Sequence, residues 1–410
     1  MHLQAIKPIS ERSTTNRTAL RVLLVVESSA AGTGRHVIDL AEGLLSRGCE
    51  VHVIYSSRRV DQMFRDRLAK LDSVRSLSLP MRTAIHPSDL GMVRAVRRYL
   101  GTFGPFDIIH GHSSKGGAIV RLAALGTGVP AFYTIHGMTV ADPGLARWKR
   151  MIYLSIELVL SRRSARIIAV SPEEQRMAIR LGLGAGRVIM IPNGVGPTDT
   201  TCRETARRAI GVGDEELVIG FVGRLVGQKA ADVLLRAFSR VSANVPAARL
   251  AMVGSGPLLE SLQQLALTLC ISEKVIWLGE CDARPIYPAF DLFAIASRKE
   301  GLPYVVLEAM AAGLPVVATD SAGVEILIEN GVNGAVVGLG DVDRFADALL
   351  SIVRDAELRS RYGQASQQKA RLFTIDRMVN QTLAAYHAAL ATAEVDFDDS
   401  VLATAEGELP

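Results

Sequence analysis

The chain has little of what marks secreted, metal-stapled or membrane-spanning proteins. Its 410 residues include four cysteines, Cys49, Cys202, Cys270 and Cys281. None forms a C-x-x-C pair or stands at metal-ligand spacing, which speaks against a disulfide framework and reads as reduced thiols in a cytoplasmic protein. No apolar run reaches the roughly 18 residues needed to span a bilayer. The longest candidate, Tyr304 to Thr319, is interrupted by Glu308, Gly313 and Pro315. Met1 to Arg21 is polar and has no apolar stretch of the kind a secretory leader needs. A large excess of one charge is also missing: 46 Lys and Arg face 42 Asp and Glu, net +4, which speaks against a nucleic-acid binder.

Apolar residues make up 49% and charged residues 21%, enough for large cores and too apolar for wholesale disorder. The length suits two or three domains at roughly 100–200 residues each. The charge is unevenly spread. Residues 1–195 carry 27 cations and 14 carboxylates, net +13, and residues 196–410 carry 19 and 28, net −9. A basic half joined to an acidic half predicts that the two meet different partners.

Apolar runs alternate with helical spacing along both halves. Strands are expected at 21–27, 50–55, 74–79, 106–110, 130–135, 166–170 and 187–191, with helices between them. After the polar stretch Asn193 to Thr201, strands are expected again at 217–222, 248–253, 274–278, 290–295, 315–318 and 335–337. Helices are expected at 229–242, 257–270, 304–312, 323–329 and 341–354. The fold class is therefore α/β, with two Rossmann-like doubly wound domains facing across a cleft. The expected division is a loose N-terminus at 1–20, a first domain at 21–195 and a second at 196–373. A helix at 374–393 packs back on the first domain, and 394–410 is an acidic disordered tail. The apolar run within Arg147 to Arg163 reads as a core helix and not as a membrane insert.

Ligands of such sheets bind at the carboxyl ends of the strands, so the chemistry is sought there. Gly32-Thr-Gly34 follows the first strand; glycines let backbone approach a phosphate or sugar. Val37 stands where a dinucleotide fingerprint would have its third glycine, although Arg58 and Arg59 after the second strand leave an NADP-dependent oxidoreductase open. Gly223-Arg224 and Lys229 put two cations on a strand-to-helix loop, which suits a diphosphate. Glu300 lies on a later loop and Glu308 one turn into the next helix, where a sugar hydroxyl would satisfy a carboxylate among apolar neighbours. His110 and His112 end one strand without an evident third metal ligand, and His136 ends the next as the better catalytic candidate. Asp341-Val-Asp343 reads as a helix N-cap, and Asp396-Phe-Asp398 lies in the tail.

Taken together these segments resemble the family 4 retaining glycosyltransferases of the two-Rossmann-domain (GT-B) type. The resemblance covers residues 21–390. It rests on Gly223-Arg224 with Lys229, Val253-Gly-Ser-Gly-Pro257 and the pair Glu300 and Glu308 within Ser297-Arg-Lys-Glu-Gly-Leu-Pro. Ala311-Ala-Gly-Leu-Pro-Val-Val-Ala-Thr319, Asn330-Gly-Val-Asn-Gly334, Thr134-Ile-His-Gly137 and Ile191-Pro-Asn-Gly-Val195 complete it. The opening loop departs from the family's commoner Gly-Gly pair and is similar to the Gly-Thr-Gly-Arg-His form of some bacterial polysaccharide-assembly transferases.

The resemblance implies a hexosyl donor carried on a nucleoside diphosphate, UDP or GDP, and no obligatory metal or cofactor. By that resemblance Arg224 and Lys229 neutralise the leaving diphosphate, Glu300 binds the donor sugar's hydroxyls and Glu308 the ribose. Gly32, Gly34, Gly223, Gly254, Gly256, Gly301 and Leu302 line the donor, and His136 sits near its sugar. The implied product is a cell-surface polysaccharide, built on a lipid-linked or polysaccharide acceptor. The basic first half then fits an anionic acceptor or membrane surface, through Arg58, Arg59, Arg94, Arg97 and Arg98 with Arg65 and Arg67 nearby, at the inner face of the cytoplasmic membrane. A non-catalytic sugar-nucleotide-binding subunit is the remaining alternative.

Overall fold

The computed structural model describes residues 19–405 except 142, 143 and 322. The loose stretch expected at 1–20 therefore lies, up to residue 18, outside the described residues. Seven strands form the first sheet: β1 (Arg21–Val26), β2 (Glu50–Ser56), β3 (Arg75–Leu79), β4 (Ile108–His112), β5 (Ala131–Thr134), β6 (Arg166–Ala169) and β7 (Val188–Met190). Six form the second: β8 (Leu217–Val222), β9 (Ala248–Val253), β10 (Val275–Gly279), β11 (Leu292–Ile295), β12 (Val316–Thr319) and β13 (Gly334–Val337). The orders are β3-β2-β1-β4-β5-β6-β7 and β10-β9-β8-β11-β12-β13. Every named pairing is parallel.

Strands such as Val22 to Val26 are buried on both faces, which is why they read as unbroken apolar runs and not as alternating ones. Each sheet reverses its strand order beside its first strand, between β1 and β4 and between β8 and β11. Those switch points open the crevice in which α/β sheets hold ligands.

Several local expectations change. Residues 323–327 form turns, not a helix: Gly323 takes a left-handed φ of 77°, and a Cβ there would come 1.9 Å from the Gly301 carbonyl oxygen. A helix not foreseen, Arg203–Ile210, buries Ala206, Arg207 and Ile210. Arg207 is held there by the Ala289 carbonyl (3.1 Å) and by Asp291 (3.4 Å), a tertiary satisfaction that local spacing does not show. Asp341 Oδ1 does accept the Arg344 amide (3.0 Å) as an N-cap.

The last helix spans Ile375–Ala405. Met378, Val379, Tyr386 and Ala389 bury into the first half's core beside Val37, Leu40 and Leu44. Burying Met378 and Val379 contributes about 1.5–3 kcal/mol each. Gly43 lets this helix approach: a Cβ there would lie 2.4 Å from Val379. The helix continues through the stretch expected to be disordered as far as Ala405, since no Pro or Gly interrupts it before Gly407. Residues 406–410 are outside the described part.

The helix Arg147–Ser161 is not the core helix expected. Only Glu157, Leu160 and Ser161 are buried, whereas Trp148, Met151, Ile152 and Val159 are 46–70% exposed. Its apolar content exceeds the single inward stripe that packing uses.

Candidate active site

A cleft of about 1790 Å³ is lined by strand-end loops of both sheets. Gly32, Thr33 and Arg35 come from the segment after β1, and His136 and Gly137 from the end of β5. Gly223, Arg224 and Lys229 follow β8, Gly254 and Gly256 follow β9, and Glu300, Gly301 and Leu302 follow β11. Residues separated by up to 270 positions, Gly32 and Leu302, thus converge because both sheets present the same ends to the cleft.

On the second half's wall the two cations differ. Lys229 Nζ donates to Glu300 Oε1 at 2.5 Å, a pair whose side chains are 15% and 10% exposed. Arg224 is exposed on the cleft wall and forms no side-chain hydrogen bond or ion pair among the described residues. One cation is therefore pre-engaged with the carboxylate beside it and the other is free to meet an anion. The glycines here serve loop packing as well as access: a Cβ on Gly254 would come 2.1 Å from the Gly223 carbonyl oxygen.

Glu308 is held from two sides. Its Oε2 accepts the Tyr287 hydroxyl at 3.0 Å, and its Oε1 is ion-paired with Arg35. Arg35 also lies 3.5 Å from Asp39 and stacks 4.7 Å above the Tyr304 ring. Carboxylate neighbours offset the burial of its guanidinium and hold it firmly charged. Burial with Glu308 beside it raises the Tyr287 hydroxyl far above its usual range, so it stays a neutral donor.

His136 occupies the left-handed region at φ 52°, followed by Gly137 at φ 94°. For a non-glycine residue that conformation is strained and persists only where its surroundings hold it. The buried Glu174 does so, accepting the amides of Gly137 and, at 2.9 Å, Val170. Burial raises the Glu174 carboxyl while those two amides oppose the rise. Lys299 donates to the Met138 carbonyl at 3.2 Å, so the second half grips the same turn.

Three imidazoles pack together behind it. His112 Nδ1 lies 3.2 Å from His136 Nε2, and the His36 and His136 ring centroids are 4.5 Å apart. Asn193 gives Nδ2 to the Leu302 carbonyl (2.9 Å), which aims its Oδ1 at His36 Nδ1 (3.0 Å) and puts the His36 proton on Nδ1. Burial lowers His36 to about 4. It carries His110, His112 and His136 well below the ordinary imidazole value, the neighbouring rings adding to the effect. All four are neutral near pH 7. His36 is the third histidine that spacing alone did not supply, and the three rings offer nitrogens within 4.8 Å of one another. Hydrogen bonds already use one nitrogen on each ring. His110 is structural, pinned between the Tyr386 hydroxyl (2.6 Å) and Thr134 Oγ1 (2.7 Å).

Other expected site residues are placed differently. Gly34 is buried inside its helix against the Ser29 carbonyl and does not line the cleft, whereas Gly32 does and faces Tyr304. Arg59 reaches the cleft but is bound to Glu27 at 3.1 Å, and Arg67 is tied to Asp39 (2.8 Å) and Glu42 (2.6 Å). Arg58, Arg65, Arg94, Arg97 and Arg98 are exposed and lie outside the cleft lining. Glu174, Tyr287 and Tyr304 carry no motif of their own that pointed to the site, and Asn193 was given no role within the Ile191-to-Val195 segment.

Comparison with known proteins decides the family. Residues 30–199 match Glycosyltransferase Family 4, and residues 203–369 match Glycosyl transferases group 1. This chain belongs to glycosyltransferase family 4. A D-inositol 3-phosphate glycosyltransferase of Geodermatophilus obscurus is 31% identical over 308 residues, 70% of this chain and 67% of that protein. The UDP-Gal:alpha-D-GlcNAc-diphosphoundecaprenol alpha-1,3-galactosyltransferase of Escherichia coli is 28% identical over 263 residues, 62% of this chain and 68% of that one. The crystal structure of Anabaena HepE with UDP and glucose superposes with TM-score 0.78 at 22% identity, covering 90% of this chain and 100% of that one. The two-sheet architecture is the GT-B fold. This family 4 glycosyltransferase is an enzyme that acts on nucleotide sugars, which sets aside both the NADP-dependent oxidoreductase and the non-catalytic subunit. The first-half residues weighed for NADP have other duties: Gly34 packs a helix and Arg59 neutralises Glu27.

Proposed function

We propose that this family 4 enzyme is a retaining hexosyltransferase. It moves a hexosyl unit from a UDP- or GDP-linked donor to a lipid-linked or polysaccharide acceptor in cell-surface polysaccharide synthesis. The observation that carries the reading is the placement of unpaired Arg224 and the Lys229–Glu300 pair in the same cleft as the His136–Gly137 turn. The UDP and glucose named with HepE and the diphosphoundecaprenol named for the Escherichia coli relative support the donor and acceptor classes.

In the proposed reaction the bond from the sugar's anomeric carbon to the diphosphate breaks as the acceptor oxygen bonds that carbon on the same face. The acceptor's proton passes to the departing phosphate oxygen, so no carboxylate nucleophile is needed. Arg224 and Lys229 stabilise the charge developing on the diphosphate, the kind of preorganised electrostatics that often supplies the largest share of catalysis. Glu300, held in place by Lys229, accepts hydrogen bonds from the hydroxyls of the donor sugar. Glu308 takes the ribose, with Tyr287 fixing its other oxygen. Neutral His136 donates or accepts a hydrogen bond at the sugar without adding charge. The first half's side of the cleft is apolar around Ile85, Leu90, Val93, Tyr153 and Ile156, which suits a lipid-bearing acceptor. With the exposed cations of that half, it fits an enzyme working at the anionic inner face of the cytoplasmic membrane.

The test is calorimetric titration with UDP and GDP, followed by transfer from the matching α-linked donor with the product anomer read by NMR. Binding of one nucleoside diphosphate and an α product are expected. A β product overturns the retaining mechanism, and failure of both nucleotides to bind overturns the donor reading.

A further inference from the structure

The exposed stripe on the helix Arg147–Ser161 stands out from the rest of the surface. Trp148 is 62% exposed, Met151 70%, Ile152 46% and Val159 62%. At spacings of three, four and seven residues they share one face, with Ser155 between them. The opposite face meets the protein: Leu160 and Ser161 are buried, Glu157 is bound by Arg121 at 2.9 Å, and Tyr153, Ile156 and Glu157 line the cleft. The helix is therefore a wall of the cleft on one side and bare to solvent on the other.

Its charges are one-signed. From Gly144 to Arg163 the sequence has Arg147, Lys149, Arg150, Arg162 and Arg163, and its one carboxylate is the buried, neutralised Glu157. Arg147, Lys149, Arg162 and Arg163 are exposed and bracket the apolar stripe at both ends. Lys149 lies 5.4 Å over the Trp148 ring. An apolar stripe containing tryptophan and flanked by cations is the composition of a helix lying in a bilayer interface, with its rings at headgroup depth and its cations among anionic lipids. A protein partner would need matching carboxylates around an apolar groove; an anionic bilayer supplies both features without any specific fold. Ile85 and Leu90, 49% and 62% exposed, line the cleft that the other face of this helix walls.

We propose that the helix Arg147–Ser161 docks this enzyme on an anionic lipid bilayer, so that the first half's side of the cleft opens at the membrane surface. The proposal rests on the lipid-linked acceptor reading above. It also assigns the contact to a different surface from Arg94, Arg97 and Arg98, which have no comparable apolar stripe between them.

The test is flotation of the full chain with vesicles of equal parts phosphatidylglycerol and phosphatidylcholine, and with phosphatidylcholine alone. Binding to the anionic vesicles that weakens with salt is expected, with little binding to the neutral ones. The triple variant Trp148→Ser, Met151→Ser, Val159→Ser is expected to lose at least about tenfold in vesicle affinity while binding UDP as the wild type does. The conservative triple Trp148→Phe, Met151→Leu, Val159→Ile is expected to retain vesicle binding. In a Trp277→Phe background the emission of Trp148 is expected to shift to the blue on adding anionic vesicles. No flotation of the wild type at low salt, or equal flotation of the serine variant, overturns the proposal. So does sedimentation showing a dimer that the serine variant dissolves, since the stripe would then join two copies of the chain. UDP binding is scored without vesicles, so failure of the donor reading registers separately from failure of docking.

Discussion

Arg35 of the first half and Glu308 of the second are ion-paired across the cleft, with side chains only 17% and 10% exposed. The arginine comes from the Gly-Thr-Gly-Arg-His segment that departs from the family's commoner loop. The carboxylate is the one assigned to the donor ribose, so donor entry and the contact between the halves share a residue.

Removing either partner leaves a largely buried charge without this counter-ion. Arg35→Ala is expected to lower stability by about 2 kcal/mol in urea denaturation, because breaking such a pair costs more than the pair is worth. Glu308→Ala added to it is expected to cost less than in the wild type, with a coupling of about 1 kcal/mol or more. Strict additivity would show that the two charges do not interact in solution.

Binding and turnover should separate between the two halves of the site. Glu308→Ala is expected to weaken nucleoside diphosphate affinity about tenfold or more by calorimetry, roughly 1.4 kcal/mol. His136→Ala is expected to lower kcat by about tenfold or more and leave nucleotide affinity within about twofold. If both variants transfer sugar at the wild-type rate, the assigned roles are wrong.

The two cations should separate by stability. Arg224 makes no side-chain hydrogen bond or ion pair among the described residues, so Arg224→Ala is expected to keep the wild-type Tm and lose about 10²–10³ in kcat. Lys229→Ala is expected to lower both, since it strands the largely buried Glu300. A Tm loss for Arg224→Ala equal to that for Lys229→Ala would show that Arg224 is structural.

Acid should destabilise the first half through its histidines. Burial lowers His36 from 6.5 to about 4, so between those values the unfolded chain holds a proton that the folded chain does not. His36 thus costs no stability above about pH 6.5, and the cost grows as pH falls to about 4, reaching about 3 kcal/mol at one proton per titration. His110, His112 and His136 are shifted in the same direction and steepen the loss. Urea midpoints at several pH values read the slope directly. His36→Asn is expected to reduce it by about one proton, and an unchanged slope would place the titration elsewhere.

Much of the fold was legible because parallel sheets write themselves plainly. Strands covered on both faces are largely apolar, as in Val22 to Val26 and Leu292 to Ile295, and all thirteen strands lie within a few residues of the expected positions, although β3 alternates and β4 carries two histidines. Loops whose chemistry depends on neighbours in sequence, such as Gly223-Arg224 and Thr134-Ile-His-Gly137, were legible for the same reason. The misreadings fall where a residue's partner is remote. Gly323 looked able to start a helix until the Gly301 carbonyl is seen against it. The run 147–163 looked like core because composition does not say which face of a helix finds a neighbour.

By itself the sequence determined the two α/β halves, the family and the roster of charged groups at the strand ends, since all of these depend on local periodicity and short spacings. Only the tertiary structure decided how that roster is divided. Lys229 is engaged and Arg224 free, Arg59 and Arg67 are tied to buried acids, His36 joins His112 and His136, and Glu174 holds the His136 turn. Each of these turns on which partner lies within hydrogen-bonding reach after two sheets have folded and closed on one another. Contacts 28 to 273 residues apart leave no trace in a periodic pattern.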